Sequence, residues 1–242
     1  MIGTVSMNVF FPTEKSKSPF MGILMLDTRF PRLPGDIGNP DSFDFPVHKM
    51  TVEGAFPKKI IKGSPENCLP EFIKAARNLE ATGAKILTTS CGFLTLFQEE
   101  LQAAVNIPVL TSSLFLYNNL QASLPPGKQV GILTIAASSL TERHLEAAGI
   151  TNHPPIGTTE GGAEFTHAIL NNCDKLDFDK ACQDNVNAAL ALQNAHPNLG
   201  AILLECTNMP PYADAIKKAT GLPVYSILDG LNDLWRTTNL RG

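Results

Sequence analysis

Two short stretches constrain the fold of this 242-residue chain more than any other part of it: ILTTSCGF at 86–93 and AILLECTN at 201–208. Each holds an apolar run that leads into a cysteine, and a helix-forming segment follows. Sixteen residues beyond each cysteine comes a second apolar run built around Pro-Val, with Ile107-Pro108-Val109 after Cys91 and Leu222-Pro223-Val224 after Cys206. GILMLDT at 22–28 is likewise echoed by GILTIAA at 131–137. Continuous apolar runs of this length fit strands buried on both faces of a parallel sheet, and helical stretches between them make βαβ units. The chain therefore reads as one α/β unit written twice, with one thiol in each copy.

The expected architecture is two pseudosymmetric parallel-sheet α/β lobes with the site in the cleft between them. The clearest break is Pro125-Pro126-Gly127. It divides the chain into an arm at 1–20, a first lobe at 21–124 and a second at 125–242, whose final helix packs back on the first lobe. Strands are expected at 22–28, 47–56 (an edge), 85–91, 106–113, 131–137, 201–206 and 221–228. Helices are expected at 67–82 with Gly83 as its C-cap, 93–105, 114–122, from a Ser138 or Ser139 cap to 148, 163–172, 178–195, from Pro210-Pro211 to Gly221, and 229–237. The Pro/Gly-rich segments 29–43 and 151–162 read as long ordered loops, which are more often functional than idle. Right-handed crossovers put all the strand C-termini on one edge of each sheet, where open α/β sheets bind ligands. Both cysteines fall there.

A net charge of −4 without a Lys/Arg cluster argues against nucleic acid and anionic membranes as partners. No apolar run approaches the length of a bilayer span, and the first twenty residues do not read as a signal peptide. Five widely spaced cysteines without CxxC fit neither a disulfide scaffold nor a zinc site, and a reducing cytoplasm suits them. Cys68, Cys173 and Cys182 read as small buried hydrophobes. His144, His153 and His167 show no metal-ligand spacing, and neither GxGxxG nor GxxxxGK[ST] occurs.

A cysteine just before a helix sits in the positive end of the helix dipole, which favours its thiolate. The free N–H groups of the same turn suit a carboxylate. Two such thiols facing each other across a cleft can work on opposite faces of one α-carbon. One removes the proton and the other returns one, which is racemisation by acid–base catalysis without a cofactor.

The paired strand–Cys–helix units, Asp27-Thr28 after the first strand and Cys206-Thr207 after the second cysteine resemble the aspartate/glutamate/hydantoin racemase superfamily over about residues 20–230. The resemblance implies a two-lobed α/β fold, a mechanism independent of pyridoxal phosphate or any other cofactor, and a homo-oligomer, frequently a dimer. Asp27-Thr28 matches an Asp-Ser pair of the glutamate racemases. Where that family has Cys-Asn-Thr, this chain has Cys91-Gly92-Phe93; where it often has a histidine after Cys-Thr, this chain has Asn208. ECTNMPPYAD at 205–214, together with SCGF, is similar to a branch that includes the algal dimethylsulfoniopropionate lyases, in which α-proton abstraction leads to β-elimination. Ser90-Cys91-Gly92-Phe93 is also similar to the arylmalonate decarboxylases.

These residues define the expected site. Cys91 and Cys206 are the acid and base, and Gly92, Phe93, Thr207 and Asn208 surround the substrate. Thr207 and Asn208 could equally be an N-cap pair. Thr134, Thr111 and Ser112 lie at strand ends and either bind a carboxylate or cap helices. Arg29 either clamps a substrate carboxylate or makes a surface ion pair, and Tyr212 contacts substrate or only packs. Glu205 should point away from Cys206 by strand alternation. The function expected first is an amino-acid racemase acting on a small carboxylic acid. A lyase on the same scaffold is the alternative, and a two-lobed small-molecule binding protein with incidental thiols is the third reading.

Overall fold

The computed structural model describes residues 18–239. Residues 1–17, and with them most of the expected arm, lie outside the described residues, as do 240–242. Strands β1 (Phe20–Leu26), β2 (Val47–Val52), β3 (Ala84–Thr89) and β4 (Val109–Leu110) form a first sheet in the order β2-β1-β3-β4. Strands β5 (Gln129–Thr134), β6 (Ile156–Thr158), β7 (Leu199–Leu204) and β8 (Val224–Tyr225) form a second in the order β6-β5-β7-β8. Every pairing in both is parallel.

The repeat extends to detail. The register of β1 on β3 shifts between Phe20 and Met21, and that of β5 on β7 shifts between Gln129 and Val130. Just past the strands, the Ser90 N–H donates to the Leu24 carbonyl (3.0 Å) and the Glu205 N–H to the Leu133 carbonyl (2.8 Å). Ser90 and Glu205 thus hold the same place in the two copies.

All seven residues of β1 are buried, as a continuous apolar run in a central strand should be. Helix α1 (Pro57–Lys62) precedes α2 (Leu69–Thr82), which turns Phe72, Ala75, Ala76 and Leu79 to the core and ends at Gly83 in the left-handed region (φ 111°). Helices α3 (Gln98–Ala104) and α4 (Tyr117–Ser123) complete the first half. The second half carries α5 (Glu142–Ala147), α6 (Phe165–Leu170), α7 (Phe178–Ala195), α8 (Ala213–Thr220) and α9 (Ile227–Asn239).

Each half lends its last helix to the other. Ile227 and Leu231 of α9 pack with Met21, Ile23, Met25 and Ile86 of the first sheet, and Trp235 stacks on Phe45 at 4.4 Å. In return α4 reaches the second sheet. Its Gln121 carboxamide oxygen accepts the Val130 N–H (2.9 Å), and Asn118 Nδ2 donates to the Gly149 carbonyl (2.9 Å). So α4, which the break at 125–127 assigns to the first lobe, covers the second.

Several expected elements differ. The strands at 106–113 and 221–228 shrink to two residues each: Pro108 and Pro223 have no N–H with which to start the ladder earlier, and the Thr111 and Ser226 N–H groups turn to the Gln98 and Asp229 side chains. Edge strand β6 lies inside the expected 151–162 loop, and α1 was not anticipated; both are too short to leave a periodic signal. Helix α5 starts later than expected, from a capping box of Thr141 and His144. Ser138, one of the two expected caps, instead donates its N–H and hydroxyl to Glu160.

Candidate active site

The central strands β3 and β7 end at Thr89 and Leu204, and two residues later each copy of the repeat places a cysteine. Cys91 and Cys206, each 6 % exposed, line one narrow cavity between the halves. Arg32, Ser90, Gly92, Glu205, Thr207 and Asn208 supply its polar wall. Leu26, Phe30, Ile61, Phe93, Ile135 and Ile169 make the rest apolar. A larger depression next to it, lined by Glu66, Leu96, Arg143 and His144, contains neither thiol and is open to solvent. Both thiols open onto the smaller space.

The loop at 29–43 is ordered, as expected, and the reason is Asp36. Its Oδ1 accepts from Arg32 Nη1 (2.9 Å) and the Gly38 N–H (2.7 Å), and its Oδ2 accepts from Asn208 Nδ2 (2.7 Å). Asn208 Oδ1 in turn faces the Cys206 thiol at 3.8 Å. The Thr207 hydroxyl donates to the Ser90 carbonyl (2.8 Å), and the Thr207 carbonyl accepts the Ile37 N–H (3.3 Å). Thr207 and Asn208 therefore tie the second half to the first around the thiols. Arg32 lies over the Phe30 ring (4.3 Å) and donates Nη2 to Thr28 (2.7 Å), while its buried Nε has no acceptor among the described residues. A buried guanidinium N–H without a partner at a cavity wall suits a substrate carboxylate.

The thiols are not the depressed thiolates expected from a following helix. Burial, and then the charge of Glu205, push Cys91 up to about 12 and Cys206 well above the usual thiol range. The N–H groups of Phe93 and Leu94 favour the Cys91 thiolate but do not outweigh burial. The segments that follow explain this. They open as 3₁₀ turns, Gly92–Phe97 and Pro210–Tyr212, and the α-helices begin only at Gln98 and Ala213. The dipole effect falls off within a turn.

Glu205 reverses the alternation expectation because the strand has already ended at Leu204. Its side chain is fully buried in the cavity wall, Oε2 accepts from the Thr134 hydroxyl (2.7 Å), and Oε1 has no partner among the described residues. Burial pushes its carboxyl up to about 7. A carboxyl whose pKa is higher folded than unfolded binds more protons in the native state. Its contribution to stability therefore falls as pH rises from about 4.5 to above 7. Relative to Glu205→Gln, the wild type should lose on the order of 3 kcal/mol of stability across that window. Urea unfolding of both proteins at pH 4.5, 6 and 8 measures it, and a constant difference would contradict the buried acid.

The other expected site residues fall outside the cavity. Thr134 is spent on Glu205, and the Thr111 N–H and hydroxyl both bond the Gln98 carboxamide oxygen (3.0 and 2.8 Å). Ser112 caps the next turn through the Leu114 N–H. Arg29 is an exposed side chain paired with Asp174 (3.3 Å), which is the surface alternative. Tyr212 is buried against Phe165 and Phe178, its hydroxyl without a partner among the described residues. Asp27 accepts the Gly54 N–H (3.1 Å) and does not line the cavity. Conversely Arg32, Ser90 and Glu205 line the cavity, and Asp36 holds Arg32 and Asn208 in place, though none of the four is among the expected site residues. One signal was available, a lone acidic residue closing an apolar strand directly before a cysteine.

Among the described residues no cluster of three or more His, Cys, Asp and Glu is arranged to hold a metal. None of their helices is long and apolar enough to cross a membrane. A family model described as Asp/Glu/Hydantoin racemase matches residues 56–230. The chain is 30 % identical over 228 residues to a dimethylsulfoniopropionate lyase of Durusdinium sp. clade D, covering 88 % of this chain and 72 % of that one. It is 30 % identical over 225 residues to dimethylsulfoniopropionate lyase 7 of Emiliania huxleyi, where it spans 88 % of itself but 65 % of the relative. Among solved structures, a glycine-to-cysteine mutant of arylmalonate decarboxylase superposes with a TM-score of 0.64 at 18 % identity, over 91 % of this chain and 94 % of that one.

Proposed function

We propose, from the premise that the chain belongs to the Asp/Glu/hydantoin racemase family, that it is a cofactor-independent enzyme cleaving the α-C–H bond of a small carboxylic acid. Cys91 and Cys206 are its acid and base, and Arg32 binds the substrate carboxylate. The observation that carries this reading is the shared cavity: one thiol from each copy of the repeat lines it, with a buried arginine N–H lacking an acceptor.

Two outcomes follow from the same first step. β-Elimination is favoured by the walls. An α-ammonium needs several acceptors, yet Gly92 and Phe93 bring no side-chain ones, and Glu205 Oε1 is the one lining acceptor left without a partner among the described residues. A sulfonium acid of the kind named in the similar lyases offers a cationic, weakly hydrated methyl-rich group that suits Phe30 and Phe93. Racemisation is the second reading, favoured by thiols placed at equivalent ends of two equivalent sheets. The reaction is followed by proton NMR in D₂O on dimethylsulfoniopropionate, aspartate, glutamate and hydantoins. Elimination yields an alkene, whereas racemisation replaces the α-proton and leaves the substrate intact. A complete absence of both across the panel would contradict the proposal.

Arg32→Ala should raise KM about 10- to 100-fold, the size of a lost charge-assisted hydrogen bond. Arg29→Ala should leave KM and kcat unchanged. Steady-state kinetics of the pair checks the assignment. The same proposal carries a dimer and a cytoplasmic setting, the latter supported by five free thiols.

A further inference from the structure

Resting on that reading, we propose that Glu205 is the group that takes the proton from a resting thiol, so that Glu205, Cys91 and Cys206 share one negative charge that moves from carboxylate to sulfur.

The first support is position. The carboxyl is lodged against Gly92, beside Cys91 in the chain, and itself directly precedes Cys206. A Cβ at Gly92 would collide with Glu205 Oε1 and with the Glu205 carbonyl oxygen. Gly92 therefore keeps open the space that the carboxyl fills. Oε1 is buried with no partner among the described residues, an expensive arrangement that packing alone does not reward.

The second support is broken symmetry. The two copies agree in strand order, in register shift and in thiol placement, but at this position the first copy has Ser90. Its hydroxyl is consumed locally by the Leu26 N–H (2.8 Å). The Thr134 that holds Glu205 corresponds in the same register to Met25, which has no hydroxyl to donate. A polar pair has been built into one copy only, and its carboxyl lines the cavity that holds both sulfurs.

The step balances without a further reactant. The S–H bond breaks, its proton forms an O–H bond at Glu205 Oε1, and the electron pair stays on sulfur as thiolate. That thiolate takes the α-proton and is a thiol again; in racemisation Glu205 gives its proton to the second sulfur, which has just protonated the carbanion, and in elimination it releases that proton to solvent. The charged and titratable groups that share the cavity wall with the carboxyl are Cys91, Cys206 and Arg32, and Asp36 lies behind Arg32 as its ion-pair partner. Arg32 favours the Cys91 thiolate, while Asp36 and Glu205 oppose the Cys206 thiolate. His144, edge-on to Phe93 at 5.1 Å, is held down to about 4 by burial and stays neutral. Two reluctant thiols beside a carboxyl near 7 make Glu205 the first of the three to ionise.

The test needs no substrate. Iodoacetamide alkylation of Cys91 and Cys206 is followed by peptide mass mapping from pH 5 to 9. In the wild type the rate at these sites should climb about tenfold per pH unit up to about 7 and then flatten, since above it the proton only moves between oxygen and sulfur. Glu205→Gln should remove the inflection and let the rate climb throughout. Thr134→Val, which keeps the carboxyl but removes its hydrogen bond, should move the inflection to higher pH. A Glu205→Gln profile that matches the wild type, or an inflection unmoved by Thr134→Val, overturns the proposal. Full turnover in Cys91→Ala and Cys206→Ala would instead overturn the functional reading, and the alkylation profiles would still decide whether the charge is shared.

Discussion

Cys206→Ala and Cys91→Ala are each expected to lower kcat by about 10²- to 10⁴-fold, the range that a positioned proton-transfer group supplies. Both thiols sit at the cavity wall on short turns after a strand, and each is small. Removing one sulfur leaves a void of less than a methylene or two, so the cost in stability should stay near 1 kcal/mol. Circular dichroism and thermal unfolding separate that small loss from the large loss of rate. The two variants also divide the reaction types. Racemisation needs a thiol on each face of the α-carbon, so both variants should fall to a similar level. Elimination needs one base, so one variant should fall much further than the other.

Gly92→Ala is expected to have the largest effect on stability, about 3 kcal/mol or more, together with loss of turnover. The new methyl would meet two atoms of Glu205, and they differ in how they can yield. Oε1 ends a side chain that can swing away at the expense of its Thr134 bond, whereas the carbonyl oxygen belongs to the backbone leaving β7. Glu205→Ala in the Gly92→Ala background should therefore recover part of the stability and not all of it. Urea unfolding of the two single variants and the double variant gives the coupling between the sites. Purely additive effects would mean that Glu205 does not occupy the space beside Gly92.

The repeat was legible because strand burial writes itself into sequence. Continuous apolar runs and a matched Pro-Val spacing located the central strands and both thiols, and Gly83 and Gly221 marked helix ends where the structure has left-handed caps. What the chain order could not show were contacts made across it. The exchange of α4 and α9 between halves depends on which sheet face is left uncovered, and that is settled only in three dimensions. Arg29 and Arg32 are indistinguishable in a Pro/Gly-rich loop, since neither lies on a periodic element that would fix its direction. Asp36, 172 positions from Asn208, decides between them by drawing Arg32 inward. Glu205 was misdirected by a period-2 argument applied one residue past the point where the strand stops.

The assignment of α-proton chemistry to the two thiols is tested most directly with substrate deuterated at the α-carbon, incubated in H₂O and followed by mass spectrometry. The wild type should release that deuterium to solvent, and the Cys91→Ala/Cys206→Ala double variant should leave it in place at the same enzyme concentration. No deuterium released while the wild type turns over, or equal release by the double variant, would show that the two sulfurs are not the groups that move the proton.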